Sequence, residues 1–111
     1  MAEPIVDASP LIYLSRAGYL SLLQVLGSRL LIPDAVFREV LAKGENDAVV
    51  QTVRAASWLT RLPAAPLSPR VAVWRLGAGE SAVLSRAISH PGSLVVLDDA
   101  RARRFARQLS I

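Results

Sequence analysis

Apolar residues in this chain follow two rhythms. Short unbroken runs, PIV at residues 4–6, RLLI at 29–32 and SLVVL at 93–97, stop at an acid or a proline. Between them lie longer stretches in which apolar residues recur every third or fourth position. Runs of the first kind predict buried strands, and stretches of the second predict amphipathic helices. Ser9 before Pro10 predicts a helix start over residues 10–17, with Gly18 closing it, because Ser caps free amides and Pro is tolerated at the first helical position. A second helix, YLSLLQVL, ends at Gly27, and Pro33 with Asp34 opens a third through AVFREVLAK that Gly44 ends. Residues 46–57 predict another helix, WLTRL a strand and PAAPLSP a proline-rich connector. Ser68 and Pro69 repeat the capping device and start a helix to about Leu76. GAGE breaks it, ESAVLSRAI continues as a helix until HPG, and DARARRFARQL is the last helix.

Strands alternating with helices predict an α/β layer on a parallel sheet, and 111 residues give room for a single domain, 1–111. The chain stops at Ile111 just after a helix, where an α/β pattern would supply another strand, so the sequence reads as short at its C-terminus. Hydrophobic residues make up 52% and mean hydropathy is +0.37, which suggests fully buried strands and an oligomer interface. No window approaches the roughly 18 unbroken apolar residues of a membrane span. Without cysteine there are no disulfides or thiolate metal sites, and MAEPIVDASP has neither the basic region nor the apolar core of an export signal. The expected compartment is the cytoplasm. A formal charge of +4, nearly all of it from Arg with Lys43 the one lysine, favours polyanionic partners.

Four acids stand out against this pattern. Asp7 and Asp98 each follow an apolar strand and precede a helix, and in an open parallel sheet the carboxyl ends of the strands line the ligand crevice. Neighbouring strands would bring both acids to one place; alternatively, each Asp caps its helix. Glu80 shares the apolar stripe of Val83, Leu84, Ala87 and Ile88, where a carboxylate needs a partner or an exposed helix end. Glu39 lies at the margin of the face formed by Val36, Phe37, Val40 and Leu41, where a solvated helical Glu is the simpler account. Asp and Glu without His or Cys suit hard cations such as Mg²⁺ or Mn²⁺, which activate water and neutralise charge during attack on phosphorus. His90, before Pro91 and Gly92, reads as a surface residue. Arg101, Arg103, Arg104 and Arg107 follow the Asp pair closely enough to hold phosphates, with Arg101 and Arg104 favoured for contact.

IVDASPLIYL, LIPDAVFREVL, LGAGESAVLSRA and LVVLDDARARRFA resemble, in order, the successive motifs of the PIN-domain nucleases, in particular the branch related to VapC-type toxins. The resemblance runs from about Ile5 to Ile111. It implies a three-layer α/β/α sandwich around a central parallel sheet, an acidic pocket at the sheet's carboxyl edge, Mg²⁺- or Mn²⁺-dependent RNA cleavage, and a homodimer. Matched position by position, it assigns metal and catalytic roles to Asp7, Glu39, Glu80 and Asp98, an outer or water-mediated metal contact to Asp99, and support of the first Asp to Ser9. Toxin members more often carry Asp at the position of Glu80, and members usually continue with another strand and helix past the position of Ile111.

Three functions compete on the sequence. The first is a metal-dependent endoribonuclease, the toxin half of a toxin–antitoxin pair, restrained by an antitoxin protein that blocks the pocket. The second is a catalytically inactive PIN-like module that binds RNA or protein. A phosphoacceptor receiver domain is the third, but there an acid pair follows the first strand and a Lys follows a late one, whereas here the pair is late and the lysine is Lys43.

Overall fold

The computed structural model describes residues 3–108. Among the described residues four short strands, β1 (Ile5–Val6), β2 (Leu30–Ile32), β3 (Leu59–Arg61) and β4 (Val95–Val96), form one sheet in the order β3-β2-β1-β4, with every pairing parallel. Helices α1 (Ala8–Ala17), α2 (Asp34–Leu41), α3 (Ala48–Ala55), α4 (Pro69–Ala72), α5 (Ala78–Ser89) and α6 (Asp99–Gln108) alternate with them. The result is the α/β sandwich on a parallel sheet that the alternating rhythm predicts. β1 and β2 are buried throughout, whereas β3 and β4, at the edges, are partly exposed, so the expectation of fully buried strands holds only for the inner pair. Ile5, Val6, Leu30 and Ile32 join Leu11, Val36, Val50, Val71, Val83 and Leu84 in one apolar core. Among the described residues no helix is long and apolar enough to cross a membrane. Residues 109–111, on which the expectation of a missing last strand bears, lie outside the described residues.

The strand order positions the site. From β1 the chain steps to β2 and β3 on one side, then returns to the other side of β1 to place β4. The carboxyl ends of β1 and β4 therefore flank the point where the winding reverses, the place where open α/β sheets hold ligands. The register pairs Ile5 with Val95 and Val6 with Val96, and the Asp7 amide donates to the Val96 carbonyl at 3.0 Å. Asp7 directly follows β1 and Asp98 lies two residues past β4, so both acids leave adjacent strands at the same edge of the sheet.

Several elements differ in detail from the sequence pattern. The cap of α1 is Asp7, not Ser9: strand β1 ends at Val6, the Asp7 Oδ1 accepts from the Ala8 amide at 2.8 Å, and Pro10 falls within the first turn, where amides lack intrahelical partners anyway. Residues 20–26 form a 3₁₀ helix, not an α-helix. Only Leu20 and Leu23 are buried there, and their spacing of three is the repeat of that tighter helix. α4 stops after one turn, with Arg75 in the left-handed region at φ 52°. GAGE opens α5, because Gly77 is the cap and Gly79 already lies in the helix.

Candidate active site

Asp7 is wholly buried at the end of β1. Its Oδ1 is fixed by the Ala8 amide, which leaves Oδ2 to accept from Arg101 Nη1 at 2.9 Å. Burial pushes the Asp7 carboxyl above the usual carboxylate range; the Ala8 amide and the Arg101 guanidinium pull it down, and together they do not offset the desolvation.

Asp98, at the end of β4, repeats the arrangement. Its Oδ1 accepts from the backbone amide of Arg101 at 2.9 Å, and its backbone carbonyl accepts from the Ala102 amide. The side chain caps the first turn of α6, and its second oxygen lies 3.9 Å from Arg101 Nε. The Arg101 amide is the main reason that the Asp98 carboxyl lies below its ordinary value, with the Ser9 hydroxyl adding to the effect. Ser9, assigned by resemblance to the first Asp, acts here on the pKa of the last one.

Glu80 lies in the first turn of α5 and is only 4% exposed. Both its oxygens accept from Arg104 Nη1, at 2.7 and 2.9 Å. Glu39 comes from α2, whose start is tied to the end of β3: Asp34 pairs with Arg61 at 2.7 Å, and the Arg61 guanidinium lies 4.5 Å from the centre of the Phe37 ring. Gly79 brings Glu39 and Asp7 to a common space. A Cβ on Gly79 would stand 3.1 Å from Glu39 Oε1 and 3.8 Å from Asp7 Oδ1.

The four acids therefore surround one region, and a guanidinium stands among them. Arg101 Nη1 bonds Asp7, while its Nε lies 3.7 Å from Glu80 Oε1 and 3.9 Å from Asp98 Oδ2. Burial works against the charge on Arg101, but Asp7, Glu80 and Glu39 outweigh it and hold its pKa above the ordinary value. Arg101 and Arg104, expected to reach for phosphates, turn inward onto the carboxylates. The side chain of Asp99 lies outside the described residues. Among the described residues no three acids stand together in an arrangement ready to hold an ion. In donor chemistry the set fits a hard divalent cation: all-oxygen ligands, two of them preset by helix caps, beside a space that any Cβ at position 79 would fill.

Gly79 and the inward turn of the arginines are the parts that residue-by-residue reading missed. A glycine inside a helix beside an acid was the available signal for the first, since Ala is the better helix former there. The direction of a long arginine side chain leaves no local signal. A family model described as a PIN domain matches residues 3–111. No curated protein matches this sequence.

Proposed function

The chain belongs to the PIN-domain family, whose members are generally nucleases, and from that premise we propose that it is a Mg²⁺- or Mn²⁺-dependent endoribonuclease, the toxin half of a cytoplasmic toxin–antitoxin pair. What supports this reading is that Asp7, Glu80 and Asp98 all approach the Arg101 guanidinium at the sheet's switch point, with Glu39 and Asp7 on either side of the space at Gly79. Those four would hold the ion, with Asp99 as an outer contact. When bound, the ion supplies an activated water and neutralises charge developing on the phosphate. Asp7 and Asp98 enter with their orientation already fixed by caps, and Arg104 holds Glu80 in place. Arg101 and Arg104 would meet the phosphate, and Ser9 sustains the charge on Asp98. An antitoxin protein covering the pocket is the proposed partner that restrains cleavage. A homodimer is proposed as well, supported by Tyr19, Leu22 and Val25, which expose apolar surface along the 3₁₀ helix and the residue before it.

The test is cleavage of RNA by the purified chain with Mn²⁺. Asp7→Asn and Asp98→Asn should each abolish it, as should a chelator. Undiminished cleavage by both variants would refute the assignment. One observation favours a second reading, a catalytically inactive PIN-like module that binds RNA or protein: the guanidinium groups already satisfy the acids. A chain that takes up Mn²⁺ and cuts RNA eliminates that reading.

A further inference from the structure

We propose that Arg101 is an internal counter-cation of the carboxylate pocket, holding the ion's place in the ion-free protein and leaving it when the ion enters. This role presupposes the metal pocket proposed above. Three features support it. First, the guanidinium pairs with the most buried acid, Asp7, at 2.9 Å and lies within 4 Å of Glu80 and Asp98, the region where an ion shared by those acids would sit. Buried like charges need a cation between them, and a charge left alone in such a place is strongly unfavourable. Second, the Arg101 side chain is 25% exposed, so it has a path to solvent while Asp7 has none. Third, departure of the side chain leaves the supports standing. The backbone amide of Arg101 still binds Asp98 Oδ1, and Arg104, on the next turn of α6, still binds both oxygens of Glu80. Arg101 is thus a positioning residue: its backbone orients one ligand permanently, and its side chain keeps the acids assembled until exchange.

Ion uptake is then a displacement, and the apparent affinity is the intrinsic affinity scaled down to the fraction of molecules in which the guanidinium has left the pocket. The experiment is calorimetry with MnCl₂ on the full chain, together with the thermal midpoint in the absence of metal, for wild type, Arg101→Met, Arg101→Lys and Arg103→Met. Arg101→Met should bind Mn²⁺ roughly tenfold more tightly than wild type while its metal-free midpoint falls. Arg101→Lys, which keeps a cation, should stay near wild type, and Arg103→Met should match it in both measurements. An ordinary stabilising ion pair would lower the midpoint without tightening Mn²⁺ binding. Equal or weaker binding by Arg101→Met, with wild type binding normally, overturns the inference and leaves the metal pocket intact. Absence of binding by both wild type and Arg101→Met overturns the two together. If Arg101→Met does not fold, the ¹⁵N resonance of the wild-type Arg101 Nε–H in a Mg²⁺ titration decides: it should move to a solvent-exchanging environment, and an unmoved resonance at saturation overturns the inference.

Discussion

At Gly79 the backbone of α5 runs close to α2 with no side chain between them. A methyl group there would lie 3.5 Å from Val36 Cγ2, an ordinary contact, 3.8 Å from Asp7 Oδ1, and 3.1 Å from Glu39 Oε1, a few tenths of an ångström too close. The atom that has to give is the far end of an exposed glutamate, which rotates away at small cost. Against that cost, Gly→Ala gains up to about 1 kcal/mol of helix preference, less in a first turn than mid-helix. The net change for Gly79→Ala is about 0 to +1 kcal/mol, or a rise in thermal midpoint of up to roughly 6 °C for a domain of this size. The pocket responds oppositely, because the methyl group fills the space between Glu39 and Asp7 and turns one ligand away. Mn²⁺ affinity should drop at least roughly tenfold, equivalent to about 1.4 kcal/mol. Differential scanning fluorimetry without metal and calorimetry with Mn²⁺ read the two effects separately. Affinity within about twofold of wild type would show that the ion does not use this space, and a large fall in the metal-free midpoint would show that Glu39 is rigidly held.

Two further predictions concern acids and assembly. Asp7 and Asp98 should shift stability in opposite senses. The folded pKa of Asp7 is raised, so its contribution is greatest below the unfolded carboxylate value and is lost as pH climbs through the folded one. Asp98, with a lowered pKa, contributes above the unfolded value and loses that contribution as pH falls through the folded one. In metal-free protein at neutral pH, Asp7→Asn should therefore raise the thermal midpoint and Asp98→Asn lower it; the reverse order across a pH series would refute the assignment of causes. Val25 is 84% exposed, and Val25→Glu should convert a dimer to a folded monomer by light scattering, whereas a monomeric wild type would remove the basis for that interface.

The strand-then-acid steps at Asp7 and Asp98 were legible because each is local: an apolar run, a carboxylate, a helix. That β4 pairs with β1 was not, since pairing joins residues some ninety positions apart. The capping error has the same origin. Asp7 and Ser9 are both good caps, and the choice fell to Asp7 only because β1, held between β2 and β4, ends at Val6. Glu80 betrayed itself by its place on an apolar stripe, and it is indeed buried. Its partner Arg104 gave no such sign, because a basic helix face looks the same in sequence whether it meets phosphate, solvent or the protein's own acids.

Helix capping and ligand binding looked like alternatives for Asp7 and Asp98, and the geometry leaves one carboxylate oxygen for each task. A carboxylate has two oxygens. In both residues Oδ1 is spent on a backbone amide of the following helix, at 2.8 and 2.9 Å, which fixes the side chain, and Oδ2 is aimed at Arg101. A helix that starts where a parallel strand ends sets its cap at the carboxyl edge of the sheet, so the residue that begins the helix also faces the crevice. Asn can perform the first task but not the second, because it keeps a cap oxygen and loses the charge. Ala forfeits both, and the lost cap alone costs about 1 kcal/mol. Asp→Asn variants that fold normally and bind no ion would therefore separate the two roles at each position, which Asp→Ala variants cannot do.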